Sequence, residues 1–377
     1  MTSSATTVVG RLVLDDRVEP GRLEIVDDRI VSVTLDARES AENVIAPGFV
    51  DVHVHGGGGH DAMGEPAALD GLSRHLMRHG VTSYLPTAVT AALEDLVAFA
   101  ERVRAWLPNA PVDGAQPLGF NLEGPFLAPD RCGAQDPAHL RVPADVPESE
   151  LEPLIEGLRL VTVAPELPGA IELIAWLRER GVATSIGHSA ATVDQARDGF
   201  RAGATSTTHL FNAMTGVDHR APGVAVAALL EDAAYVELIA DAIHVDPALW
   251  PMIARLKPPD RLLLVSDAIA LAGLGDGQDR LGALTVVSAG SRVTLAGTDT
   301  LAGSLLTLDA AVRNVVASGW TLPDAVAAAS RNPLAMLGIT DRGRISPGQR
   351  ADLVELDGEL RVRRVMRGGR WLPTKAG

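Results

Sequence analysis

Two histidines one residue apart, His53 and His55, stand in the stretch Asp51-Val52-His53-Val54-His55, with Pro47-Gly48-Phe49 before it and Gly56 to Gly59 after it. The stretch reads as a short buried strand. Side chains alternate faces along a strand, so the two imidazoles share one face while Val52 and Val54 point the other way into packing. Two same-face imidazoles make half of a metal site. The glycines let the backbone pass close to a bound group with no bulky side chain to cover it. An isolated H-x-H also occurs as a pair of satisfied core histidines, so its chemistry depends on further ligands falling at matching places downstream.

Those places depend on the elements that carry them. Between residues 48 and 320 short apolar strands alternate with helical stretches, the signature of a βα-repeating parallel sheet. Eight strands are expected: Phe49–His53, Val81–Pro86, Leu118–Glu123, Leu160–Ala164, Ala183–His188, Ala204–His209, Val236–Ala240 and Leu262–Asp267. A helix over Ala91–Trp106 carries one apolar stripe of Leu93, Leu96, Val97, Ala100 and Val103, and Thr192 with Gln195 forms a capping-box pattern. Eight such units close into an α/β (β/α)₈ TIM-type barrel, whose chemistry sits at the C-terminal strand ends. Residues 6 to 46 instead alternate short β patterns with turns, and the same texture returns at Ala351–Leu356 and Leu360–Met366. Both termini are therefore expected to build one small accessory β-sandwich domain, over residues 1–47 and 345–377, flanking a catalytic barrel over 48–344.

On that scheme His53 and His55 close strand one, Glu123 strand three, His188 strand five, His209 strand six and Asp267 strand eight, all on one rim. Imidazoles with a carboxylate suit a divalent metal, and a further carboxylate can move protons beside a metal-activated water. Each residue alone has a plain alternative, since a charged group at a strand end also caps a neighbouring helix N-terminus.

Composition narrows the function classes. The chain has 377 residues, 46% hydrophobic but 3% aromatic, rich in Ala, Val, Leu and Gly, which suits helices packed tightly on a parallel sheet. A net charge of −15 argues against a nucleic-acid surface. One cysteine, Cys132, forbids an internal disulfide and fits a reducing compartment, and no basic leader or long apolar run occurs, so a soluble cytoplasmic protein with no membrane segment is expected. Residues 124 to 145, which hold Cys132, read as a mobile loop over the site. His60, His75, His79 and His139 read as structural or solvent-facing.

The segments Pro47 to Gly57, Asn121-Leu122-Glu123-Gly124-Pro125-Phe126, Gly187-His188-Ser189-Ala190, Thr208-His209-Leu210-Phe211-Asn212-Ala213-Met214, Val265-Ser266-Asp267-Ala268 and Leu301-Ala302-Gly303-Ser304 together resemble the amidohydrolase superfamily and, within it, the N-acetylglucosamine-6-phosphate deacetylases. H-x-H alone points only to the superfamily; E-G-P-F, H-L-F-N-A-M and L-A-G-S are the more specific segments. The resemblance spans nearly the whole chain, including the closing Gly343-Arg344-Ile345-Ser346-Pro347-Gly348.

It implies hydrolysis of the acetamide of N-acetylglucosamine 6-phosphate, in aminosugar catabolism and cell-wall sugar recycling. Glu123, His188 and His209 would hold one divalent ion and His53 and His55 a second, with Glu123 bridging. Zinc and iron both suit such donors. Many superfamily members bridge with a carboxylated lysine, but no lysine precedes Lys257 here. Asp267 would act as acid and base. Arg220 would bind the sugar phosphate, with contacts from His244, Asn212 and Ala213, in a pocket shared across a homodimer. Where relatives read G-A-H, this chain reads Gly133-Ala134-Gln135, so Gln135 would face the acetamide carbonyl. From the residues alone, Arg220 also reads as a solvated surface arginine and Asp267 as a helix cap or further ligand. A deaminase or cyclic amidase on the same barrel, and a non-catalytic metal-binding scaffold, are the alternative functions.

Overall fold

Eight parallel strands follow one another round the centre of the computed structural model, which describes residues 5–38 and 42–372: Phe49–Val54, Val81–Ala88, Phe120–Glu123, Leu158–Val163, Ala183–Ile186, Ser206–Thr207, Tyr235–Leu238 and Leu262–Leu264. These are the eight expected strands, in the expected order, and each pairs in parallel with the next. The ring closes through the backbone beyond the last strand: Asp267 N–H donates to His53 C=O at 2.9 Å and His55 N–H to Ala268 C=O at 2.8 Å. Gly56 is needed there, because a Cβ would lie 2.5 Å from the Ala270 backbone nitrogen. Gly56, Gly57 and Gly58 thus serve close packing, against Ala270 and the His75 ring.

The strands are almost wholly buried, as a parallel sheet covered on both faces requires, with apolar residues such as Val52, Val54, Leu122, Val161, Val236 and Leu263 interleaved with buried polar ones. The helix Leu93–Trp106 turns Leu96, Phe99, Ala100 and Val103 inward, all essentially buried. Phe99 meets Phe120 edge-on at 5.6 Å between centroids, and truncating so buried a ring costs about 3–5 kcal/mol. The helix Val193–Ala202 carries the expected capping box, with Thr192 and Gln195 each bonding the other's backbone.

Strands from both ends of the chain hydrogen-bond into one seven-stranded sheet, joined where Val44–Pro47 runs antiparallel to Leu353–Leu356. It has a core of its own that includes Leu12, Leu23, Ile25, Ile45 and Leu353. The expected accessory domain also takes in residues 1–4, 39–41 and 373–377, which lie outside the described residues. Beyond the eighth strand comes an element that the sequence reading missed, a three-stranded antiparallel sheet of Gly277–Leu281, Leu284–Ala289 and Arg292–Leu295. Its buried residues Leu281, Val286 and Val293 pack with Ile269 and Leu271 over the rim. No described helix is long and apolar enough to cross a membrane.

Candidate functional site

Three of the rim residues fall two or more positions past the ends of their strands. His188 and His209 come two residues after Ile186 and Thr207, and Asp267 three after Leu264. All three adopt positive φ, at +46°, +26° and +49°, a conformation that non-glycine residues rarely take and that costs about 1–3 kcal/mol each. This corrects the expected strand ends. The backbone turns out of extended geometry where the side chain must swing inward, and surrounding hydrogen bonds hold it there. For Asp267 the holder is Leu301-Ala302-Gly303-Ser304: Ser304 N–H donates to Asp267 C=O at 2.8 Å and Ser304 Oγ–H to Ser266 C=O at 2.6 Å.

The six expected residues meet. Glu123 Oε1 lies 3.0 Å from His188 Nε2, 2.9 Å from His209 Nε2 and 3.4 Å from His53 Nε2, while Oε2 lies 3.1 Å from His55 Nε2. Asp267 Oδ1 is 3.2 Å from His55 Nε2 and 3.6 Å from His53 Nε2. Glu123 therefore belongs to two ligand groups, one with His53 and His55 and one with His188 and His209, and either could hold a metal ion.

The donor chemistry fits a cation. His55 Nδ1 lies 3.0 Å from Thr87 C=O and His188 Nδ1 2.8 Å from Arg131 C=O, and carbonyls only accept, so both Nδ1 atoms carry the proton. His53 Nδ1 faces Glu237 Oε2 at 3.1 Å. The Nε2 lone pairs of these rings are thereby turned inward, and Nε2 atoms approach to 3.2 Å between His53 and His55 and 3.1 Å between His188 and His209. Converging lone pairs repel one another unless positive charge lies between them. The carboxylates demand positive charge here, as a proton on a ring or as a cation between the rings: burial alone would lower the imidazoles, yet Glu123, Glu237 and Asp267 hold His53 well above its ordinary range, and Asp267 and Glu123 lift His55 to about 9. Burial likewise pushes the Glu123 carboxyl up, but His53 and His188 outweigh it and hold the group well below the carboxylate range.

The cluster floors a cavity of about 360 Å³, also lined by Gln135, Asn212, Ala213 and His244. His244 is aimed by Asp241, whose Oδ2 lies 2.7 Å from Nδ1 and whose Oδ1 accepts the His244 N–H at 2.8 Å. Asn212 spends its amide N–H groups on the carbonyls of His209 and Leu210, within a turn where Phe211 and Ala213 also have positive φ. Gln135 lines the cavity and has a further role within the cluster. Its Nε2 donates to Glu123 Oε2 at 2.5 Å and its Oε1 accepts from Thr90 N–H at 2.7 Å, so it braces the carboxylate as well as lining the cavity. Arg220 lies on an exposed loop and is not among the residues lining this chain's cavity.

The segment expected to be a mobile loop is tied across the rim by Ala128 N–H to His188 C=O at 2.9 Å, Arg141 N–H to Pro125 C=O at 2.9 Å and three 3₁₀ turns. It carries Arg131, the one Arg or Lys among the described residues lining the cavity, which the sequence reading passed over. Glu237 was missed as well, although a lone charge between Val236 and Leu238 in an apolar strand was a visible signal.

Comparison with known proteins places this geometry. The Amidohydrolase family model matches residues 44–372. The chain is 40% identical over 362 residues to the N-acetylgalactosamine-6-phosphate deacetylase of Escherichia coli O157:H7, covering 93% of each. It is 37% identical over 367 residues to the N-acetylglucosamine-6-phosphate deacetylase of Homo sapiens, covering 92% of this chain and 86% of that one. A solved structure of the Mycobacterium smegmatis N-acetyl-D-glucosamine-6-phosphate deacetylase, an aspartate-to-alanine variant in complex with N-acetyl-D-glucosamine-6-phosphate, matches with a TM-score of 0.92 at 37% identity, covering 98% of this chain and 99% of that chain. With its barrel, its rim cluster and this extent of similarity, the chain belongs to the amidohydrolase family.

Proposed function

We propose that the chain is a metal-dependent deacetylase that cleaves the acetamide of N-acetylglucosamine 6-phosphate to glucosamine 6-phosphate and acetate. The observation that carries this reading is the convergence of four imidazole Nε2 atoms on both oxygens of Glu123, with Asp267 3.2 Å from His55. Glu123, His188 and His209 would hold one divalent ion, and His53 and His55 together with Glu123 would hold a second; zinc or iron(II) suits these donors. A divalent ion held there supplies Lewis acidity to water and to the amide carbonyl. Asp267 accepts the proton that the attacking water gives up and returns it to the amine, which leaves poorly unless protonated.

His244, Asn212 and Ala213 line the cavity where the sugar phosphate would lie, and Arg131 adds a cation from the segment above. Arg220, exposed and outside its own chain's cavity, suits a site completed across a homodimer, where it would reach the phosphate of the partner subunit's substrate. A second reading has its own support. The Escherichia coli relative at 40% identity is named for the galactosamine epimer, which differs only at C4.

The test is acetate release from N-acetylglucosamine 6-phosphate, N-acetylgalactosamine 6-phosphate and unphosphorylated N-acetylglucosamine. Charge-assisted contacts contribute about 1.5–3 kcal/mol each, so the phosphorylated sugar should be preferred over its unphosphorylated form by on the order of 10² in kcat/KM. Arg220→Ala should remove most of that preference, chiefly through KM. Equal rates with and without the phosphate would sink the phosphosugar reading, and faster turnover of the galactosamine epimer would replace the first substrate with the second.

A further inference from the structure

We infer that Glu237 is the positioning residue that decides whether the His53 and His55 side of the cluster holds its ion. The inference rests on the metal-centre reading above but not on the choice of substrate. Glu237 lies in the seventh strand, fully buried. One of its oxygens, Oε2, takes two donors from opposite parts of the barrel: His53 Nδ1–H, from the first strand, at 3.1 Å, and the His209 backbone N–H, after the sixth, at 3.2 Å. Its other oxygen is buried without a hydrogen-bond partner. One carboxylate oxygen therefore ties a member of each ligand group to the other.

The other rings are oriented differently. His55 and His188 rest their Nδ1 atoms on backbone carbonyls of Thr87 and Arg131, which stay in place when side chains change. His209 Nδ1 has no partner, so that ring is aimed by its backbone. The backbone has supports besides the Glu237 side chain: Thr208 N–H donates to Ile186 C=O at 3.0 Å, and Leu210 N–H donates to the Glu237 backbone C=O at 2.8 Å. His53 has no such reserve for its ring. Among the described residues Glu237 alone fixes which nitrogen of His53 carries the proton, and so whether Nε2 presents a lone pair to the centre. Loss of that hold should loosen the His53 and His55 site and spare the Glu123, His188 and His209 site.

Two conservative variants separate orientation from charge. In Glu237→Gln the amide oxygen can occupy the Oε2 position and accept both donors, with the charge removed. In Glu237→Asp the charge remains but the oxygen is drawn back by one methylene, out of reach of Nδ1. Zinc titration of chelator-stripped protein, with metal content after desalting and circular dichroism to verify folding, reads both. The wild type and Glu237→Gln should keep two ions per chain. Glu237→Asp should keep one, with affinity at the weaker site lowered about 10- to 100-fold, the usual effect of losing a hydrogen-bond partner behind a metal ligand. Two retained ions in the folded Asp variant, or loss of the second ion from the Gln variant alone, overturns the inference. Loss of both ions together from either variant overturns it too. A wild-type chain that binds only one ion sinks it as well, whereas a wild type that binds two ions and releases no acetate sinks the deacetylase reading and leaves this inference standing.

Discussion

Glu123 on the rim and Asp352 at the junction with the terminal sheet are both buried, each 3% exposed, and burial pushes both carboxyls upward. Their partners differ in kind. Asp352 sits among permanent cations and a backbone donor: Arg342 Nη1 and Arg350 Nε each lie 3.4 Å from its oxygens, and the Gly368 N–H donates at 2.7 Å. Gln116 accepts from both arginines and completes the set. A guanidinium has no lone pair to offer and does not lose its proton, so these partners leave no place for an ion, although burial still holds the Asp352 carboxyl above its ordinary range. Glu123 has imidazoles around it, whose Nε2 atoms carry either a proton or a lone pair. A buried carboxylate ringed by arginines is a structural joint, whereas one ringed by inward lone pairs asks for an ion.

The sharpest way to break this contrast is to delete each carboxylate. Glu123→Ala should lose both ions and reduce kcat/KM by roughly 10³-fold or more, because metal activation supplies several kcal/mol at about 1.4 kcal/mol per decade. Asp352→Asn should keep both ions and near-normal kcat yet lose roughly 3 kcal/mol of stability, the cost of leaving buried charge unpaired. Elemental analysis and urea denaturation read the two variants side by side. Metal loss from Asp352→Asn, or two ions retained by Glu123→Ala, would erase the distinction.

Asp267 sharpens it from within the rim, as a carboxylate that touches the cluster yet belongs to neither ligand group. Asp267→Asn should keep most of the bound metal and lose roughly 10²-fold or more in kcat, the usual contribution of a positioned acid–base group. Near-normal turnover would remove it from proton transfer, and metal loss would make it a ligand.

What the sequence disclosed and what it hid follow from range. The eight strands are readable because each is a local apolar run bounded by turns, and His53 and His55 share a face by the two-residue period alone. The meeting of His188, His209 and Asp267 is readable from their place near strand ends. Their positive φ is not, because the bonds that hold it come from residues distant in sequence, Ser304 for Asp267 and Ala128 for His188. Glu237 carries no local motif, since its partners are 184 and 28 residues away. The sheet over residues 277–295 is packed on one face and its burial alternates, but its strands are short and polar residues such as Gln278, Asp279 and Arg280 fill the first of them, so no apolar run marks it.

Gln135 tests how much a neutral brace matters beside those charges. Gln135→Ala leaves Glu123 Oε2 and Thr90 N–H each short of a partner, and unmade buried hydrogen bonds cost about 1–3 kcal/mol. The expected loss is on the order of tenfold in kcat, smaller than that of Asp267→Asn. A Gln135→Ala enzyme as inactive as the Asp267 variant would show that the amide does more than hold a carboxylate.

The smallest expected effect comes from a buried histidine in the opposite setting. His75, on the helix Pro66–Arg78, is 8% exposed; burial first, then His79, Arg78 and His60, hold it down at about 4, and Asp309 pulls only weakly the other way. Among the described residues no carboxylate touches it as Glu123 touches the rim histidines. Because the folded state favours the neutral ring, an unfolded chain takes up a proton below pH 6.5 that the folded chain refuses until about pH 4. Stability that is present above pH 6.5 is therefore lost as the pH falls toward 4, by up to roughly 3 kcal/mol at 1.4 kcal/mol per unit. His75→Gln removes that titration while keeping a good helix former. Wild type should exceed the variant in unfolding free energy at pH 7, and the gap should narrow by up to that amount as the pH falls to 4. Metal loss on acidification is common to both proteins and cancels in the difference. Parallel denaturation curves across that range would show that His75 already carries its proton in the fold, and that burial among cations does not separate it from the histidines of the rim.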